Sequence, residues 1–188
     1  AEEAFAAVER ESRYDGPLNL ARVYEREGRL NDAVDTLNRA AQYQEDPDFP
    51  HWTWSWLSGL VNRQQGFLAA AEDNLRSVLE VRTEAMVRRN LNFSFDYEVL
   101  NQYGETLFAL GQQLQRQERR DEAESYWRRA VEQFQRTLAI DSENVTAHYN
   151  LQLLYEQLGD QQQADSHHRL YRRYKPDDNA RDRAVRLS

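Results

Sequence analysis

The chain has no cysteine among its 188 residues. That excludes disulfides, thiolate metal sites, redox thiols and Cys-x-x-Cys-His haem attachment. It leaves the compartment open, because a helical fold needs no disulfide. Proline (4) and glycine (7) are scarce, so few positions interrupt regular structure. Lys175 is the only lysine, so nearly all positive charge is arginine. No run of about 18 apolar residues occurs, which excludes a transmembrane helix. A net charge of −8 argues against nucleic-acid binding, which needs basic surface. No Gly-x-Ser-x-Gly, glycine-rich phosphate loop or His-Glu-x-x-His pattern appears, so no catalytic constellation is visible and the expectation is a non-enzyme.

What is present is aromatic and periodic. Four Trp, ten Tyr and seven Phe within 40% hydrophobic residues suffice for a core, while 30% charge makes a solvated exterior. A beat recurs: Tyr24, Gly28, Ala33; Asn62, Gly66, Ala71; Tyr155, Gly159, Ala164. Each copy lies between two amphipathic stretches. Glycine can end a helix in a left-handed conformation, and alanine lets the next helix pack closely. Repeated helical hairpins are a solenoid signature, and solenoids are usually binding surfaces.

The expected organisation is all-α, one solenoid over 1–188. Residues 1–12 read as an orphan second helix with Ala4, Phe5 and Val8 inward, as if the array continued upstream. Hairpins follow at 14–47, 52–85, 97–144 and 145–176, then a capping helix at 177–188. Pro17 suits a first helical turn. Asn31 or Asp32 is a candidate cap for the second helix, and Asp121 with Glu124 a candidate capping box. Met86 to Asp96 is an insertion, with Phe93 and Phe95 tucked inward. The third hairpin carries about two extra turns per helix, a heptad-sized addition that keeps the buried face, and should protrude.

These hairpins resemble tetratricopeptide repeats. His148, Leu151, Tyr155, Gly159, Ala164 and Pro176 occupy that family's consensus places in the fourth hairpin. The first matches through Leu20, Ala21, Tyr24, Gly28, Ala33 and Ala40, the second through Gly59, Gly66 and Ala71. The resemblance implies a right-handed superhelix whose first helices line a concave groove. Carried over by position, the groove residues are Leu18, Arg22 and Arg26; Trp56, Leu60 and Arg63; Asn101, Glu105 and Phe108; Tyr149, Leu153 and Glu156. They mix arginines, aromatics and carboxylates without the set that clamps a peptide's terminal carboxylate.

A narrower resemblance lies in Arg13 to Tyr24, Phe93 to Asn101, Ala139 to Leu151 and Tyr174 to Ala184. These stretches look like the C-terminal repeat domain of bacterial multihaem cytochromes c with tetratricopeptide repeats. It implies a scaffold in an extracytoplasmic electron-transfer assembly, periplasmic or extracellular. Haem would reside in an associated or upstream region and not in this chain. The implied partner is a protein: a multihaem cytochrome or further copies of the chain, with neither nucleic acid nor membrane. The rival reading is a cytoplasmic adaptor that binds an extended peptide.

Two further features need placing. Trp52 and Trp56 share a helical face while Trp54 points elsewhere, so one neighbouring helix cannot bury all three. The expectation is two in the core and one over the Pro50 loop; the alternative is a partner-binding anchor. Among the histidines, His148 reads as structural, and adjacent His167 and His168 point about 100° apart on a helix, poorly placed to share one metal. His51 or His168 as a haem ligand supplied in trans is the remaining conceivable role.

Overall fold

A computed structural model of the chain describes residues 4, 5, 7, 8 and 13–175. The orphan helix at 1–12 falls largely, and the capping helix at 177–188 wholly, outside the described residues.

Among the described residues, eight helices form four antiparallel hairpins: α1 (Asp15–Arg26) with α2 (Leu30–Ala41), α3 (His51–Gln65) with α4 (Leu68–Glu80), α6 (Tyr97–Arg116) with α7 (Arg120–Ile140), and α8 (Val145–Leu158) with α9 (Gln161–Tyr174). Between the second and third lie a short α5 (Glu84–Arg88) and a 3-10 turn, Phe93–Phe95.

All four hairpin turns use one device. The amide two or three residues past the first helix donates back to a carbonyl in its last turn: Arg29 to Tyr24 (2.8 Å), Phe67 to Asn62 (2.8 Å), Arg119 to Leu114 (3.0 Å) and Asp160 to Tyr155 (2.9 Å). This closure requires a left-handed residue in between. Gly28, Gly66 and Gly159 supply it at φ 71°, 85° and 78°, and in the third hairpin Glu118 does so at φ 63°. The beat seen in sequence therefore continues as Leu114, Glu118, Ala123, with glutamate in glycine's place.

The same closure explains why two expected caps differ. Arg29, Phe67 and Arg119 are the N-cap residues of α2, α4 and α7, and none makes a side-chain capping bond. Asp32 lies inside α2 and pairs with Arg29 at 2.7 Å. Asp121 lies inside α7, and Glu124 pairs with Arg128 one turn on. The hydrogen-bonded turn puts the N-cap on the residue after the left-handed one, which is Arg29, Phe67 or Arg119 in three hairpins, so the carboxylates beyond it serve as first-turn charges. Where Asp or Asn stands at the N-cap it does cap: Asp96 accepts from the Glu98 and Val99 amides, Asn144 from Ala147 and, in the turn of the fourth hairpin, Asp160 from Gln163.

Two hydrophobic clusters divide the array. One joins Leu18, Leu20, Ala21 and Tyr24 to Leu37, Phe49, Leu57 and Val61. The other runs from Leu75 and Val78 through Leu100, Leu107, Trp127 and Phe134 to Leu151 and Leu154. Trp56 packs against both. The boundary thus falls within the second hairpin, between α3 and α4. Gly59 holds those helices close: a Cβ there would sit 2.8 Å from Leu75 Cγ.

The third hairpin is longer, 20 and 21 residues against 12 to 15 in the other paired helices. Its packing repeats seven residues apart. Gly104 meets Phe134 and Gly111 meets Trp127, and a Cβ on either glycine would collide with the ring at 2.8 or 2.3 Å. A heptad returns close to the same helical face, so the extension copies the contact it extends.

Consecutive first helices touch along the array, α1 to α3, α3 to α6 and α6 to α8. The second helices stand farther apart, bridged by long side chains such as Arg129, which reaches Glu72 at 2.5 Å and the Tyr103 hydroxyl at 2.9 Å. First helices therefore form the inner wall of a curved stack and second helices the outer wall.

Candidate functional site

The inner wall is stitched by polar pairs between successive first helices. Gln64 donates to Glu25 between α3 and α1. Arg63 Nη1 meets Glu105 Oε2 at 2.6 Å between α3 and α6. Asn101 Nδ2 on α6 donates to Asn144 Oδ1, the cap of α8, at 3.1 Å. These contacts set the spacing of the wall, and they occupy several residues expected to meet a partner.

The structure separates the expected groove residues; Glu156, for one, is exposed and accepts from Gln152 on its own helix. Arg22 and Trp56 come together at one cleft. Arg63 and Glu105 are brought together as an ion pair, half-buried on both sides. Asn101 and Phe108 are core residues, each 7% exposed, and Leu18 is buried at 3%. Their positions suit the groove only if α6 and α1 show one face to solvent. α6 instead contacts α3, α4, α7 and α8, which leaves it little free surface. Arg26 is exposed, and Leu60 and Leu153 are half-buried. Tyr149 is 44% exposed and its ring lies 5.2 Å from that of Tyr171 on α9.

The cleft is the part of the inner wall where side chains converge without filling space. It measures about 220 Å³ and is walled by Trp52, Trp56, Val78, Phe93 and Val99, with Arg22, Thr53, Asp96 and Glu98 at its polar edge. Three first helices contribute, α4 adds Val78, and the remaining side comes from the insertion. Phe93 stacks on Trp52 with centroids 6.4 Å apart, and the Arg89 guanidinium lies 5.5 Å from the Trp52 ring. The insertion is tied at both ends: Arg88 pairs with Asp48 at 2.8 Å, and Arg136 donates to the Ser94 carbonyl at 2.9 Å. Within it Met86 is buried, whereas Phe95 is 71% exposed and not tucked as expected. Of the two phenyl rings of the 3-10 turn, Phe93 is the one that packs against the core.

The three tryptophans sort by helical face. Trp54 turns toward α2, its indole Nε1 donating to the Leu37 carbonyl at 3.1 Å. Trp52 and Trp56 face the cleft. In the Pro50 loop Phe49 is fully buried and packs edge-on to Tyr14 at 5.4 Å, in the cluster against which Trp54 and Trp56 pack. Trp52, Phe93, Glu98 and Val99 were absent from the sequence-derived groove. Only Trp52, one turn before Trp56, carried a legible signal.

A second recess, about 690 Å³, lies where the long third hairpin overhangs the preceding turn. Leu110, Leu114 and Tyr126 form one side and Phe67 the other, 60% exposed. Among the described residues no group of three or more His, Cys, Asp or Glu side chains could hold a metal ion. His148 and His167 face each other across the last hairpin at 2.9 Å, Nδ1 to Nδ1.

Comparison with known proteins agrees with this geometry. Models of the tetratricopeptide repeat match residues 18–85 and 102–175, together most of the chain. The chain is built of tetratricopeptide repeats. Among solved structures, two of MamA are similar at 18% identity, each covering 93% of this chain. They cover 86% and 81% of MamA with TM-scores of 0.58 and 0.64. A mutant form of MamA aligns over 86% of this chain and 77% of its own, with a TM-score of 0.59. At such identity the likeness shows the fold alone. No curated protein matches significantly. None of these similarities involves a cytochrome, so that resemblance stands on the short sequence stretches only.

Proposed function

We propose that this repeat array is a non-catalytic interaction scaffold whose inner wall holds an extended segment of a partner protein. The observation that carries the reading is the cleft between α1, α3 and α6, where two half-buried tryptophans turn a face to the opening. Tryptophan is enriched among residues that dominate binding energy. The wall is fixed by interhelical pairs before any partner arrives, which lowers the ordering cost of association. No helix among the described residues is long and apolar enough to cross a membrane, so a protein partner is favoured over insertion.

The context we propose is an extracytoplasmic assembly containing a multihaem cytochrome. It is supported by the resemblance of four short stretches and by nothing in the fold.

Affinity capture tests both statements. Wild-type protein should retain a partner that Trp52→Ala loses and that a convex-face variant, Asp73→Arg, keeps. Equal retention by all three would refute groove binding. A haem absorption band in the retained fraction would support the cytochrome context, and its absence would remove it.

A further inference from the structure

The last hairpin is held differently from the others. Among the described residues α9 contacts α8 alone, and Ala164 is its one buried side chain. The second core ends at α8: Ala147, Leu151 and Leu154 belong to it, and no described residue of α9 does. The joint is made of rings instead. Tyr174 stacks on His148 and Tyr155 on His167, each at 5.7 Å between centroids, and Tyr149 meets Tyr171 at 5.2 Å. At its centre the two imidazoles face each other, Nδ1 to Nδ1 at 2.9 Å. A helix carried on so little buried apolar surface belongs to the low-stability end of a fold, where local opening costs least.

The pair has room for one extra proton but not two. With both rings neutral, His148 donates Nε2–H to the Ser142 carbonyl at 3.0 Å and accepts from His167 at Nδ1. A first proton, on His167 Nε2, leaves that bond in place. A second, on His148 Nδ1, sets two N–H groups head to head between two imidazolium ions, and like charges that close disfavour each other strongly. The surroundings offer little to offset them. The Tyr155 and Tyr174 rings are neutral, and the Arg173 guanidinium lies over Tyr174. In the α7–α8 loop the Asp141 carboxylate is taken by Asn144 and the Glu143 amide, and Glu143 is exposed. α7 and α6 reach this hairpin through neutral Gln135 and Asn101. Glu156 on α8 and His168 on α9 are exposed and share Gln152, while Asp165, Arg169 and Arg172 are exposed. Burial, then the facing His148, holds the His167 pKa below its usual value.

We propose that the facing His148 and His167 form an acid-operated latch that releases α9 from α8 while the rest of the stack stays packed. The second proton is accommodated once the rings part, so the open form binds more protons than the closed one and falling pH favours it. Each proton of difference raises the open population by up to about tenfold per pH unit. Opening takes Tyr171 away from Tyr149 and uncovers the α8 face that carries His148 and Tyr155. The latch is independent of what the inner wall binds.

Hydrogen exchange of the full chain at about pH 7.5 and about pH 5, read by mass spectrometry and corrected for intrinsic rates, tests this. The opening constant of α9 amides should rise roughly tenfold at the lower pH, while that of α1 and α2 amides changes little. His167→Gln should flatten the response, because a side-chain amide can turn either to donate to His148 Nδ1 or to accept from it. A circular dichroism spectrum like wild type at neutral pH would confirm that the variant folds, and the comparison of α9 with α2 in wild type stands without it. Two-bond proton–nitrogen spectra at neutral pH should show His148 protonated on Nε2 and His167 on Nδ1. An equal rise in α2 and α9 would overturn the latch by assigning the acid response to the whole stack. So would an α9 indifferent to pH, a response kept in His167→Gln, or the opposite tautomers.

Discussion

His148 and His167 show how two residues of ordinary composition become coupled by placement. His148 is 3% exposed, and its Nε2 lies 3.0 Å from the Ser142 carbonyl. When both imidazoles are neutral, Nε2 of His148 carries the proton donated there, its Nδ1 accepts, and His167 donates to it through Nδ1–H. Tyr174 stacks on His148 and Tyr155 on His167, so both rings are enclosed by neutral groups. Burial first, then the facing His148, lowers the His167 pKa below its usual value near 6.5. An unfolded chain therefore takes up a proton at this imidazole at higher pH than the folded one. Stability is fully present above about pH 6.5 and is lost as pH falls toward the lower folded value. The melting temperature should drop as the solution is taken from about one pH unit above that value to one below it, and the drop should shrink in His167→Gln. An identical slope in wild type and variant would assign the effect elsewhere.

The third hairpin is where an element departs from its siblings, and the departure was only half legible. The heptad-sized addition could be read from the spacing of Ala123, Trp127, Ala130 and Phe134, because helical periodicity is a property of the chain alone. The hairpin boundaries followed from glycine and proline for the same reason. The turn at Glu118 could not be read, since nothing about glutamate advertises a left-handed backbone. The caps of α2 and α7 were misplaced because the hydrogen-bonded turn fixes the N-cap at Arg29 and Arg119, before the carboxylates that could have capped. The cleft was the least visible feature: it needs Phe93 and Trp52 to meet, and that depends on how the insertion folds back. Glu118 carries a test of this account. A left-handed L-residue costs about 1–2 kcal/mol. Glycine relieves that but loosens the unfolded chain by about 0.4–1 kcal/mol. Glu118→Gly should therefore stabilise by a net ~0.5–1 kcal/mol, seen as a rise in melting temperature of about 1–4 °C. A fall would mean that the Glu118 side chain makes a contribution exceeding its backbone strain.

At the scale of the whole molecule the described residues form two cores in series, and Trp56 packs against both. Stacked repeats have stability that sums local terms and nearest-neighbour interfaces, so weakening one interface can separate what otherwise melts together. The seam lies inside the second hairpin, where α3 packs with the first cluster and α4 with the second. The side-chain contacts that cross it include the Gly59–Leu75 approach, the half-buried Arg63–Glu105 pair and the Trp56 ring. Half-exposed ion pairs contribute at most about 1 kcal/mol, so the ring dominates. Trp56→Ala should cost about 2–4 kcal/mol, toward the lower part of the range for aromatic truncation because the ring is only partly buried. The loss should be unequal between the halves. In urea, wild type should unfold in one transition. The variant should show either two transitions or a single broadened one with a lower dependence on denaturant, as expected when cooperativity breaks. In Trp56→Ala with Trp52→Phe and Trp54→Phe, fluorescence from the remaining Trp127 would report the C-terminal core alone, and far-ultraviolet circular dichroism would report both. Coincident curves from the two probes, shifted in midpoint but unchanged in slope, would show that backbone packing between α3 and α4 couples the cores without the indole.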